Sequence, residues 1–397
     1  MHNESQAVHA DSTIGAAALA IPAFPAPGVG RQRVSPPSQR AEVVFRVNPK
    51  TGDDANDGAR ATPLRTLAEA ARRASRSEGA GPITILLSEG IHSIAEEAVF
   101  RPERRSLSRA DRLTIRADVL PDDPAWHWGR MPTLIHAIPL EPTWNGRPDP
   151  LGGAVNGMLI EASHVSILGL RILGLPVVES PIAGQIRRLY AVSRLRDQLE
   201  DLEVAHCVFA GDHVIAPNHV GIIARGNGLV VHHCIFRGLK ISAVYWSGGS
   251  RGHAMHHCVL DDQYGSAVWT SGIADDFDYR NNVVTNSNYV WTWQGAASAR
   301  ADAGGQRTES PSGVRATNRY RVLDSYLGGN RRLAGTGTGA RLEYTDIDPS
   351  FLDLVATTVS DQPVPIEKDQ SNRWYLHPEA GTPAAATGAG LFTSATK

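Results

Sequence analysis

From residue 165 onward, apolar residues recur at offsets 0, 2, 5 and 7 in segments that align without gaps. The sets are Val165, Ile167, Leu170, Ile172; Leu202, Val204, Cys207, Phe209; Leu229, Val231, Cys234, Phe236; and His253, Met255, Cys258, Leu260. Two looser copies follow, Phe277, Tyr279, Asn282, Val284 and Tyr320, Val322, Ser325, Leu327. Alternation before and after a one-residue phase slip is what two short strands joined by a tight bend produce, each burying every second side chain. A helix would need a 3.6-residue period instead. The third anchors stand at 170, 207, 234, 258, 282 and 325, so a compact turn takes about 24 residues and the longer ones carry inserted loops. A further strand recurs once per turn, as GIIARG at 221–226, AVYWSG at 243–248, AVWTSG at 267–272 and YVWTWQ at 289–294. Together these predict an all-β coil with three strands per turn.

The pattern resembles the right-handed parallel β-helix of the pectin-lyase-like superfamily, where the bend commonly carries a stacked Asn ladder. Here Cys207, Cys234, Cys258 and Asn282 fill that column. The ends are similar to the same group. VNPKTGDDANDG at 47–58 and PLRTLAEA at 63–70 look like its opening strand, Gly/Asp turn and N-terminal capping helix, and ITILLSEG at 83–90 starts the first coil. DPSF at 348–351, WYLHP at 374–378 and TPAAATG at 382–388 look like its closing segment. The resemblance thus spans residues 43–392. Residues 1–42 read as a flexible leader, with four prolines between 25 and 41, and 393–397 as a tail. This scaffold carries lyases, hydrolases, epimerases and non-catalytic adhesins alike, so the reaction has to be read from a site.

Charge narrows the partners. Lys and Arg number 39 against 41 Asp and Glu, so no basic field exists to hold a phosphate backbone and nucleic acid is not expected. The most apolar N-terminal stretch, 14–24, is too short to span a membrane and is broken by Pro22. It looks like half a signal peptide without its basic region, which points to secretion or the periplasm. Three cysteines are too few for a disulfide framework and fit no zinc spacing, which leaves them to the bend column as buried, reduced residues.

Two parities are open for the third strand. If Ile222, Val244, Val268 and Val290 point inward, then Ile223, Tyr245, Trp269 and Trp291 stack outside on coils about 4.8 Å apart. Trp293 would extend that platform, with Arg225, Ser247 and Ser271 in its column, and sugars stack their C–H faces on such rings. The opposite parity puts Trp246 outside and the aromatic ladder in the core.

The loop columns beside this face hold the candidate chemistry. Three residues past the bend come Ala210, Arg237, Asp261 and Thr285; one further come Gly211, Gly238, Asp262 and Asn286. Six past come His213, Lys240, Tyr264 and Asn288. Abstracting the proton α to a uronate carboxylate needs a base, a proton donor for the leaving oxygen and positive charge near the carboxylate. Lys240, Tyr264, Arg237 and Arg251 could divide those duties, with His219 as a further acid or base. Alternatively these are ordinary turn residues, with Asp261 a surface salt partner of Arg237. Hydrolysis needs paired carboxylates, and Asp261 and Asp262 with Asp212 form the dense acidic group on this edge.

Asp275, Asp276 and Asp278 offer oxygens to calcium, or form a plain acidic turn. His206, His233 and His257 precede the bend on successive coils and should stack as a stripe, not converge as metal ligands. The nearest nucleotide-type loop, GTGTG at 335–339, lacks the flanking strand and helix. The expected function is a polysaccharide-active enzyme, foremost a lyase cleaving an acidic glycan by β-elimination. A glycoside hydrolase, an epimerase or a non-catalytic glycan-binding β-helix are the alternatives.

Overall fold

The computed structural model describes residues 41–139, 141–144, 146–149, 152–174, 188–212, 219–246, 248–294, 319–336 and 344–393. Residues 1–40 of the proposed leader, with its apolar stretch at 14–24, the loop residue His213 and most of the 393–397 tail lie outside them.

Among the described residues, sheets of ten, nine and nine strands receive the chain in turn. One circuit runs through Leu202–Ala205 in sheet 1, Val208–Ala210 in sheet 2 and Val220–Ala224 in sheet 3, then returns to sheet 1 at Leu229–His232. Apart from the edge strand Thr345–Asp346 of sheet 3, which pairs antiparallel, the strands pair in parallel with their counterparts one circuit before and after, so Ile172, Phe209, Phe236, Leu260, Val284 and Leu327 form one continuous column. This is a parallel β-helix. Every residue of the six repeat sets read from the sequence is buried. Stacking is direct in places, as with Phe209 and Phe236, whose rings lie 4.9 Å apart and 7° from parallel.

The bend column shows why thiols serve where amides are common. Each Cys Sγ lies within 3.2–3.4 Å of the carbonyl two residues before it, at Ala205, His232 and His256. Asn282 instead bonds the preceding coil, donating from Nδ2 to Met255 O at 2.8 Å while its Oδ1 accepts from Cys258 N, where the thiols reach the corresponding carbonyls only at 3.5–3.8 Å. Ser325 and Thr357 continue the column. The cysteines are free and buried, and burial raises the Cys234 thiol well above its usual value, so it stays protonated. A second ladder at the next corner escaped the sequence reading: Gln263, Ser287 and Asn330 pass side-chain bonds from coil to coil.

The residue before the first ladder is left-handed on every coil from the third onward: Gly169, His206, His233, His257, Asn281, Asp324 and Ala356 all have φ between 47 and 73°. The conformation turns their side chains out of the bend. His206, His233 and His257 accordingly stack at 5.4 and 4.9 Å, nearly parallel, as a stripe.

The helix Leu67–Arg76 begins at Thr66, whose hydroxyl accepts from Glu69 N at 3.1 Å, and Glu69 is held by Arg72 and Arg73. Its apolar side, Leu67, Ala70, Ala71 and Ala74, joins the core cluster beside the first strands. At the other end the chain turns back. Residues 364–392 run along the outside of sheet 2, where Val364, Ile366, Leu376, Leu391 and Phe392 cover the outward row Val208, Ile235, Val259 and Val283.

Candidate functional site on the outer edge of the third sheet

Lys240 follows the strand Ile235–Arg237 after a left-handed turn at Gly238 and immediately precedes the strand Ile241–Trp246 of sheet 3. Its carbonyl receives two donors from the next coil, Gly265 N at 3.1 Å and Ser266 N at 2.7 Å. Gly265 is therefore an extra residue in the ladder, a bulge. A Cβ there would lie 2.5 Å from the Lys240 carbonyl and 2.8 Å from Tyr344 Oη, so only glycine fits. The Lys240 side chain is 0% exposed, with its ammonium 5.8 Å from the Tyr344 ring centre. Burial, helped by the Arg188 charge, lowers it from 10.5 to about 7.

Tyr264 lies in the same column one coil on, its amide bonded to Leu239 O. Burial raises both Tyr264 and Tyr344, so both phenols are protonated donors at neutral pH. The sequence reading of Lys240 and Tyr264 as column neighbours holds.

The sequence reading missed the neighbouring group. Arg188, 7% exposed, opens the strand Arg188–Arg194 and is ion-paired with Asp149. Its guanidinium lies 5.4 Å from the Trp144 ring, which meets Tyr190 edge-on at 5.1 Å, and Tyr190 lies 6.2 Å from His219. Nothing in the repeat pattern flags Arg188, because the long insertion before it hides the strand. His219, buried at the start of its own strand, does fall on this edge as expected.

Other candidates are placed elsewhere. Arg237 and Asp261 are neighbours as predicted, 3.6 Å apart, but on the margin of sheet 2 beside the returning C-terminal segment, which also brings Lys368 close. Burial raises Asp261 to about 6 against the pull of Arg237. Asp262 is exposed in a left-handed turn at φ 60°, so the two adjacent carboxylates diverge. Asp212 is an exposed residue in an isolated β-bridge. Arg251 is exposed beyond the far end of Ile241–Trp246, roughly 20 Å along the strand from Lys240 at about 3.3 Å per residue. Arg225 chelates Asp197 at 2.9 and 2.8 Å and lies 4.9 Å over Trp246.

The aromatic platform requires correction. Tyr245, Trp291 and Trp293 belong to the interior core, with Trp291 stacked on Tyr320 at 5.1 Å and donating to Thr270 Oγ1. Of the predicted rings only Trp269 points outward, and it is 5% exposed in an outer apolar cluster with Ile223, Val244, Tyr190 and Ile241. Two features misled the alternation argument. The VWT triplets at 268–270 and 290–292 look equivalent, yet Val268 pairs with Trp291 because the Gly265 bulge shifts one strand by a residue. The strands Ser266–Ser271 and Tyr289–Gln294 also bend, so that two consecutive residues, Ala267 and Val268 or Val290 and Trp291, both face the core, whereas in Ile241–Trp246 the alternation is regular and Ile222 pairs with Ala243, which leaves Val244 outside and Tyr245 inside.

Asp278 is engaged by Arg280 at 3.0 Å and Asp276 accepts from Gly252 N, and no three metal-ligating side chains converge among the described residues. The calcium expectation finds no support in this geometry. No described helix is long and apolar enough to cross a membrane.

No protein-family model matches the chain, and no curated protein matches it. Solved structures do. A GH136 lacto-N-biosidase from Eubacterium ramulus is 10% identical, covering 81% of this chain and 68% of its own, with a TM-score of 0.44. A rhamnogalacturonan lyase is 11% identical over 88% of this chain and 100% of its own, at 0.36, and the pectin methylesterase PemA from Erwinia chrysanthemi 10% identical over 81% and 90%, at 0.36. At such scores these likenesses assign no activity to the chain.

Proposed function

We propose that this chain is a carbohydrate-active β-helix protein, right-handed with three strands per coil and a helical N-terminal cap, and that its Lys240 edge performs β-elimination on an acidic glycan. One observation carries the reading: a buried lysine with a value near 7 stands beside a cation and protonated phenols. A base of that value is half neutral at neutral pH, which suits proton abstraction. In the proposed step neutral Lys240 takes the proton α to the uronate carboxylate. Arg188 stabilises the charge gathering on that carboxylate, and Tyr264 or His219 protonates the departing glycosidic oxygen. Electrons from the broken C–H bond form the new double bond as the C–O bond breaks.

Lys240 is inaccessible with the Tyr344 ring in place, so the reading requires that ring to move when substrate binds. Hydrolysis is less well supported, because Asp149 on this edge is ion-paired with Arg188 and Asp261 lies on the margin of another sheet. The test is incubation with a panel of acidic glycans read by mass spectrometry. Unsaturated products lost in Lys240→Ala support elimination. Products that gain water would replace it with hydrolysis, and binding without products would make this a glycan-binding β-helix.

A further inference from the structure

The column that holds Lys240, Tyr264 and Asn288 continues on the next coil, where Arg331 stands six residues past Ser325. Backbone bonds keep the four in register: Tyr264 N donates to Leu239 O, Asn288 N to Gln263 O and Arg331 N to Ser287 O. Their side chains are linked as well, with Arg331 Nη1 donating to Asn288 Oδ1 at 2.9 Å and Asn288 Nδ2 to Tyr264 O at 3.4 Å. At about 4.8 Å per coil, Arg331 lies about 14 Å along the axis from Lys240.

Arg331 and Arg332 border a cleft of about 300 Å³ whose walls include Leu333, Ile347 and Asp361. The carboxylate of Asp346 sits in this cleft against the cations. Tyr289 Oη donates to its Oδ1 at 2.5 Å and Arg332 Nε to its Oδ2 at 2.7 Å. The Arg331 guanidinium stands beside the same phenol, 6.0 Å from its ring centre. Among the described residues Arg331 has no ion-pair partner, and Asp361 pairs with neither arginine. Two cations and a phenol thus converge on one engaged carboxylate. The bonds from Tyr289 and Arg332, with the Arg331 charge behind them, hold the Asp346 carboxyl below its usual value, so the cleft favours an anion.

Asp346 is held there only lightly. It ends the two-residue strand Thr345–Asp346 at the edge of sheet 3, and the Arg332 and Asp346 side chains are 51% and 49% exposed. A pair so exposed adds little to stability, so folding by itself does not account for the arrangement. We propose that Arg331, Arg332 and Tyr289 form a carboxylate subsite, that Asp346 fills it in the free chain as a stand-in, and that an acidic glycan binds by taking the place of Asp346. The inference rests on the reading of the Lys240 edge as a site for acidic glycans and narrows the substrate. It must carry carboxylates on more than one sugar, one at Lys240 and another three coils away.

Phenylglyoxal modification of the intact chain, read by peptide mass spectrometry at Arg331 and Arg332, tests this without turnover. A carboxylate tethered to the same chain competes at a high local concentration, so removing it should tighten binding. Glucuronate should protect both arginines of Asp346→Ala at a concentration at least about tenfold below that needed for the wild type, and glucose should protect neither. Equal concentrations for the two proteins, equal protection by glucose, or no protection by glucuronate would overturn the subsite. On the glycan identified as substrate, Arg332→Gln should raise KM at least about tenfold. Unsaturated products from that variant at an unchanged KM would overturn the subsite and leave elimination at Lys240 standing. Protection by glucuronate in a chain that forms no unsaturated product would do the reverse.

Discussion

The outer faces of sheets 2 and 3 both carry apolar rows, and they have different fates. On sheet 2 the row Val208, Ile235, Val259 and Val283 is covered by the chain's own C-terminal segment, and its margin holds the Arg237–Asp261 pair. On sheet 3 the row Ile223, Val244 and Trp269 ends in a cluster of charge and phenol around Lys240 and Arg188. An outward apolar residue is thus no sign of a binding platform until its cover is known. A buried lysine whose charged form burial disfavours is different, because it costs stability and so asks for a functional reason.

The largest expected effect breaks the covered face. Ile235→Asp places a charge under the C-terminal segment and should lower stability by about 3–5 kcal/mol, seen as a fall in Tm. A loss under about 1 kcal/mol would mean the segment does not seal that row. On the other face, Trp269→Ala should cost about 3 kcal/mol, since the ring is almost fully enclosed. Unchanged stability in denaturant titration would show that the ring stands free after all.

Lys240 should separate stability from activity. Its value is depressed from 10.5 to about 7, so the unfolded chain binds a proton that the folded one refuses between those values. Stability should therefore fall as pH drops from about 10.5 to about 7 and level off below. Lys240→Met removes that slope and should raise stability at pH 7 by about 2 kcal/mol, while turnover on the identified glycan falls at least about a hundredfold. A variant that is stabilised and fully active would end the role of Lys240 as base. The rate of the wild type should rise with pH through about 7 as Lys240 loses its proton.

The smallest effect belongs to the ladder. Cys258→Asn should change stability by less than about 1 kcal/mol, because Asn282 already fills the same column one coil on, and native thiol labelling of all three cysteines should be slow. Rapid labelling would show that the column is open to solvent.

The sequence by itself determined the coil. The 0, 2, 5, 7 pattern located the inward residues of two sheets and the bend between them, because side-chain alternation along a strand is strict and the repeats align without gaps. It also placed Lys240 beside Tyr264, and Arg237 beside Asp261, by counting from the ladder. What the tertiary structure decided was register and cover. One extra glycine at 265 shifts a strand by a residue and sends Trp269 outward, the pairing of Ile222 with Ala243 puts Tyr245 inside, and the bend in Tyr289–Gln294 turns Trp291 and Trp293 inward. Local identity of the VWT triplets carries no information about that shift, since register is set by hydrogen bonds to another coil. The Arg188 group and the covering C-terminal segment were invisible for the same reason: the Arg188 charge bears on Lys240, and Leu391 meets His206, across 52 and 185 residues of sequence, proximities that only the closed coil creates.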